Sequence, residues 1–561
     1  MMFQIFINSI FIYVCTYGYG ELFSKKIIKR EKILAKKFLI FILGIFTIMF
    51  ISLVLNFFTP INKTISSIVF IIGSLLFIIN KQNYNLLELS LLLLIGLSST
   101  ILIYKTNLNN DFSLYHGPFL TILQNEKIIF GLSNLHFRFG HISTQQYYEI
   151  IFSNNVLLNS SPLFAIAVIY SAFVLTVAID LLKDKKTLNR SDIFLFFTFV
   201  YFILRHSRFN EFGNDLFPNI IALYYIYLAI LFLEKKEKIN KYFSFSNFFF
   251  ILCVLGAIIL ASKVTLAIFL FIPLYFLLKK KNYFKIILNY KLFIPIFFIV
   301  FFLIKNIINT GCFFYPVSKK ICLDLSWSEK EVEERAVQSE AWAKDWPNRD
   351  TSKFKDYSKD YNENFNWLKY WSKNHLYVVL KNITIFLAPI LLALFILNLI
   401  SISRKRTNPN LGNFYPMLLI SLLGVLFWFI KAPLYRYGYA YIVSAVILLI
   451  LPLTYNTISN HKLKNKKFFY YLLFFLLLFF FISKNLYRIK NNEKNLIIPN
   501  LNWENTKIKQ DFFILNNYKI RVINDGTCYM GMPICSNFYE IVKKIEVKQI
   551  NNYIYFLYKN N

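Results

Sequence analysis

Long apolar stretches recur along the chain, separated by short polar joints. They are continuous rather than alternating, the pattern of membrane or core helices and not of a β-barrel wall. In order, they predict helices near 2–20, 38–58, 65–80, 86–104, 161–182, 193–205, 217–233, 247–261, 264–278, 288–306, 376–400, 413–431, 439–456 and 468–484. Most approach the ~20 residues that cross a bilayer. The expected fold is an all-α polytopic membrane protein of about 14 transmembrane helices, continuing into a small α/β domain. A transmembrane domain covers 1–484, with large loops at 104–160 and 307–375, and the small domain covers 485–561.

The loops carry their own patterns. Residues 119–129 and 145–152 mix apolar and polar positions at helical spacing, which predicts short helices lying on the membrane face, with Pro118 at the start of the first. In the second loop, Ser328 and Glu331 have the spacing of a capping box, and Pro347 should stop the helix that follows. Trp346, Trp367 and Trp371 would anchor at the interface or stack on sugar. In the tail, residues 512–523 and 553–558 read as short strands.

Composition agrees with the pattern: 57% of the chain is hydrophobic and only 16% charged, too little charge to cover several soluble domains. The formal net charge of +32 would suit a nucleic-acid binder. Its distribution argues against that partner. Lysine and arginine gather in joints at alternate crossings, such as Lys25 to Lys37, Lys183 to Arg190, Lys279 to Lys285 and Arg404 to Arg406. The positive-inside rule then places these joints in the cytoplasm. Both large loops, the tail and both termini fall outside, and contact with anionic membrane lipids is a by-product. The first apolar run lacks a basic leader and a cleavage site, so it reads as a retained span. Two cysteine pairs, Cys312 with Cys322 and Cys528 with Cys535, fall in outer segments and are candidate disulfides, whereas Cys15 and Cys253 lie in spans.

Chemistry gathers in the outer segments. Residues 109–141 hold Asp111, His116, His136, Arg138 and His141. Polar groups beside a bilayer are the default place to look for function. Asp111 could take a proton from an acceptor hydroxyl, hold a divalent metal ion, or only cap a helix. Each histidine could be an acid, a base, a phosphate donor or a packing residue. The joint RHSRFNEFGND packs Arg205, His206, Arg208, Glu211 and Asp215 between two spans, as a salt-bridged cap or a binding segment. Lys263 and Arg436 sit in short outer turns, where each could hold a phosphate.

At these residues the chain resembles the GT-C superfamily of membrane glycosyltransferases. Members carry an acidic residue in the first large outer loop, and Asp111 is the matching position. Many show an acidic pair there, where this chain has Asn110 and Asp111. The chain is more closely similar to a family of bacterial multi-pass proteins related to that superfamily. The shared features are LYHGPF, GLSNLHFRFG, GCFFYP, AWAKDWP, APLYRYG and the tail's GTCYMGMPIC, in that order. The resemblance implies a bacterial inner-membrane enzyme acting on the outer face in cell-envelope assembly. It would transfer a sugar from a polyprenyl-phosphate donor to a glycan or lipid acceptor. Asp111 and His116 would be catalytic. His136, Arg138, Arg208, Asp215, Lys263 and Arg436 would bind the donor, and Asp111 could hold Mg or Mn. An O-antigen polymerase or ligase, and a lipid-linked sugar flippase, are the rival expectations.

Overall fold

The computed structural model describes residues 2–28, 36–80, 86–106, 111–141, 143–153, 155–158, 161–182, 189–205, 215–239, 244–280, 283–354, 359–400, 414–460, 466–491, 511–516, 518–523, 528 and 530–559. Helices occupy all the predicted apolar positions. Among the described residues, ten are long and apolar enough to cross a membrane: Met2–Ile28, Lys37–Phe58, Lys63–Asn80, Leu86–Ile103, Pro162–Leu182, Leu216–Glu234, Phe245–Ser262, Tyr290–Thr310, Leu368–Leu392 and Tyr435–Tyr455. Val264–Leu278 and Tyr415–Lys431 are apolar but shorter. Arg190–Arg205 and Lys466–Asn491 complete the set.

Pro162–Leu182 and Leu216–Glu234 form the centre and are almost wholly buried. The peripheral helices expose apolar faces, including Ile68, Ile72, Leu75 and Ile79 on one and Phe293, Ile296, Phe297 and Val300 on another. Apolar surface of this extent is compatible with lipid contact and is unlike a soluble monomer. Small residues let two helices meet backbone to backbone: a Cβ at Gly44 would strike the Thr16 carbonyl, and one at Gly20 the Ile40 carbonyl.

Contacts sort the helix ends into two sets. In one, Lys25 donates to Asn80 Oδ1 at 2.7 Å, Lys37 pairs with Glu88 at 3.5 Å, and Lys291 donates to Asn247 at 2.6 Å. Glu234 accepts there from the Arg190 and Ser191 amides. In the other, Ile61 N–H donates to Leu123 O, Gly131 N–H to Ile308 O, and Trp371 Nε1 to Pro433 O. Lys25, Lys37 and Arg190, from two of the basic joints of the sequence, all belong to the first set. Arg488 fastens the last long helix to the second set: its guanidinium donates to the carbonyls of Ile101, Leu102, Tyr104 and Lys105. These include the last carbonyls of Leu86–Ile103, which no helical amide can satisfy.

The two large loops and the tail form a layer over this second set. The helices Gly117–Asn125 and Gln145–Ser153 are present but are enclosed on nearly every side rather than lying on a surface. Pro118 is the second helical residue, not the first. The capping box does not form. Glu331 is the N-cap of Val332–Ala343 and makes no side-chain cap bond, while Ser328 donates to Leu323 O at 2.7 Å. The helix also ends before Pro347, which sits in a following 3-10 turn. Trp346, Trp367 and Trp371 neither face solvent nor line a site; they are buried, with Trp367 and Trp371 packed on Phe429.

In the tail, β1 (Asp511–Leu515) and β2 (Tyr518–Val522) form an antiparallel hairpin, with β3 (Cys535–Ser536) parallel to β2. A second hairpin joins β4 (Ile545–Ile550) to β5 (Tyr553–Tyr558). Asn551 and Asn552 make its turn at positive φ, as a two-residue hairpin requires. Both expected cysteine pairs are at disulfide distance, Cys312–Cys322 at 2.05 Å and Cys528–Cys535 at 2.01 Å. The tail is tied down by the first loop: Phe130 exchanges backbone hydrogen bonds with Ile554 and Phe556.

Candidate functional site

Five charged side chains from separate parts of the chain meet beneath this layer. Asp111 opens the π-helical turn Phe112–His116 that follows the fourth long helix. Arg138 lies on the 3-10 turn Phe137–His141. Asp215 immediately precedes the helix Leu216–Ile239, where a carboxylate complements the positive end of the helix. Lys263 terminates Phe245–Ser262, with its amide donating to Ile259 O. Arg436 is on the first turn of Tyr435–Asn460, which leaves helical geometry at Gly438.

These groups alternate in sign. Arg138 Nη1 lies 3.4 Å from Asp111 Oδ1, and Arg436 Nη1 lies 3.5 Å from Asp111 Oδ2. Arg436 Nε is 3.6 Å from Asp215 Oδ2, and Lys263 pairs with Asp215 Oδ1. Lys263 and Arg436 also face the Tyr437 ring, at 4.2 and 5.2 Å from its centre. Three cations thus meet two carboxylates, leaving one positive charge in excess. The cluster lines a cavity of about 1670 Å³. Among its described lining residues, nine arginines and lysines stand against three carboxylates, so an anionic ligand is favoured.

Asn219 holds the frame of the cluster and is fully buried. Its Nδ2 donates to Asp215 O at 2.7 Å, and its Oδ1 accepts from Ala440 N–H at 3.0 Å. One amide therefore sets two helix starts against each other, each carrying a member of the cluster.

The histidines differ from one another. His116 and His136 line the cavity but are almost fully buried. Burial depresses both imidazoles to about 3, so they are neutral near pH 7. His136 Nδ1 accepts from the Arg138 amide at 3.1 Å, which fixes it as the unprotonated nitrogen. His116 Nδ1 lies 3.3 Å from Gln146 Nε2. His141 also lines the cavity but is exposed, and it packs edge-on against Tyr315 at 5.5 Å. Of the remaining sequence candidates, Arg205 lines the cavity. His206, Arg208, Glu211 and Asn110 lie outside the described residues.

Asp111 does not fit a divalent ion in this arrangement, because each of its oxygens faces a guanidinium. Among the described residues, no three His, Cys, Asp or Glu side chains gather as metal ligands.

Three contributors were not singled out from the sequence: Asn219, Tyr437 and the cavity face of the helix Val332–Ala343. Tyr437 had a visible signal, since it flanks Arg436 in APLYRYG. The helix face had one too, with Arg335, Gln338, Ser339 and Trp342 at i, i+3, i+4 and i+7. Asn219 had none, because a lone asparagine early in an apolar helix has many uses.

No curated protein and no solved structure matches this chain. Residues 2–443 match DUF8201, a domain of unknown function, and the chain belongs to that family.

Proposed function

We propose that this protein is a glycosyltransferase embedded in the bacterial inner membrane. It moves a sugar from a polyprenyl-phosphate donor to a cell-envelope glycan or lipid acceptor at the outer face. The observation that carries this reading is the meeting of Asp111 with Arg138, Asp215, Lys263 and Arg436 in one electropositive cavity. The positive-inside rule supports an outward-facing cavity, since Lys25, Lys37 and Arg190 of the basic joints lie at the opposite set of helix ends.

The geometry supports a single displacement. The donor phosphate enters among Arg138, Lys263 and Arg436 and competes with Asp111 for the arginine N–H groups. Asp111 is thereby released toward the acceptor hydroxyl and takes its proton. The acceptor oxygen forms a bond to the anomeric carbon as the bond from that carbon to the phosphate oxygen breaks. The departing phosphate keeps the electron pair, and the cations stabilise its growing charge. One displacement inverts the anomeric carbon. The neutral imidazoles of His116 and His136 serve as hydrogen-bond partners at the cavity wall rather than as cationic acids at neutral pH.

The test is the mass profile of lipid-linked and surface glycans from cells carrying the wild type, a deletion, Asp111→Asn or Arg436→Ala. All three altered strains should lose the same sugar while the two variants keep normal membrane levels. A wild-type glycan profile in the Asp111→Asn strain would remove the carboxylate from the chemistry and the transferase reading with it.

A further inference from the structure

The cavity has a second wall of different chemistry. The helix Val332–Ala343 turns Arg335, Gln338, Ser339 and Trp342 toward it. Trp342 is 47% exposed, and it is the one exposed tryptophan among the described residues. The polar groups beside it are held in a ladder. Arg335 Nη2 donates to Glu331 at 2.6 Å, Arg335 Nη1 to Gln338 Oε1 at 3.0 Å, and Gln338 Nε2 to Glu334 at 2.8 Å. This wall is continuous with the ionic cluster. Arg335 lies 5.1 Å from the centre of the Phe137 ring, and Arg138 lies 5.7 Å from the same ring.

We infer that this helix face is a saccharide subsite, which holds the glycan part of the acceptor while its reacting hydroxyl is at the charge cluster. The inference rests on the transferase reading. A sugar ring has an apolar C–H face and a rim of hydroxyls. An accessible indole beside a fixed guanidinium, amide and hydroxyl offers a partner to each. The charge cluster on the facing wall, with Arg138, Lys263 and Arg436, suits phosphate instead. Seven residues of helix separate Arg335 from Trp342, about 10 Å along the axis. That span accommodates more than one ring, so the subsite is for an oligosaccharide acceptor rather than for the single sugar on the donor.

Binding can be measured apart from turnover. Purified full-length protein in lipid nanodiscs is applied to an array of bacterial surface oligosaccharides that lack lipid and phosphate. The wild type should retain at least one glycan class. Trp342→Ala should weaken that binding about tenfold, and Trp342→Phe should recover most of it. Retention of a glycan needs no transfer step, so a failure of the catalytic assignment is read separately. If the wild type retains none of the oligosaccharides, or Trp342→Ala retains them unchanged, the subsite is overturned. Retention only of sugar-free polyprenyl phosphate, added as a vesicle component, would also overturn it.

Discussion

A carboxyl group with no role in the charge cluster shows how burial sets chemistry at the level of one residue. Glu149 is fully buried on the helix Gln145–Ser153. Its Oε1 accepts from Gln145 Nε2 at 2.5 Å, and its Oε2 has no hydrogen-bond partner among the described residues. Burial raises it from the ordinary 4.5 to about 8. Its contribution to stability is therefore complete below about 4.5 and is lost as pH rises through about 8. Glu149→Gln removes the charge and keeps the acceptor oxygen. Thermal denaturation at pH 8 should find the variant more stable, on the order of 4 kcal/mol. Near pH 4.5 the two proteins should coincide; an equal gain at both would mean that charge is not the cause. His116 and His136 act in the opposite sense. Each is held near 3 against an ordinary 6.5, so their contribution is intact above 6.5 and declines as the medium becomes more acid.

Among elements, the approach of Tyr415–Lys431 to Tyr435–Asn460 determines where Arg436 points. The second helix departs from helical geometry at Gly438, where φ is −145°. A Cβ there would overlap the Trp428 ring, whose Nε1 donates to Leu434 O at 2.7 Å. Any side chain at this position therefore requires the Trp428 ring to move. Gly438→Ala should displace Trp428 and lower stability by roughly 1–3 kcal/mol, read as a fall in Tm. Glycan output should fall further than protein level, because Arg436 moves with the turn. A variant with wild-type Tm and output would show that the ring yields freely.

At the scale of the whole molecule, one buried side chain ties the outer layer together. Asn134 Nδ2 donates to Trp327 O at 3.0 Å and to Phe556 O at 2.8 Å. It therefore joins the first loop to the second and to the tail. Asn134→Ala leaves two carbonyls without that donor and should cost about 2–3 kcal/mol. Hydrogen exchange should quicken along β4 and β5 before it does in the central helices. Uniform protection in the variant would mean that the layer is held by other contacts. The Tyr518 hydroxyl, 3.0 Å from Glu126 Oε1, and the Tyr558 hydroxyl, 2.7 Å from Glu329 Oε1, repeat the same connection at two more points.

The sequence by itself determined the helices, because apolar runs near bilayer length have few other folds, and it located both disulfides and the strands at 512–523 and 553–558. It also marked Asp111, Arg138, Asp215, Lys263 and Arg436 one by one, since a charge beside an apolar run is conspicuous. Their meeting was decided only by the tertiary structure: Asp111 and Arg436 are 325 positions apart, and no local pattern records which helix ends become neighbours. Enclosure was decided there as well. Trp346, Trp367 and Trp371 have the composition of surface or sugar-stacking residues, but the packing of the second loop buries them and leaves Trp342 facing the cavity. Periodicity gives an element's faces, whereas what covers each face depends on segments hundreds of residues away.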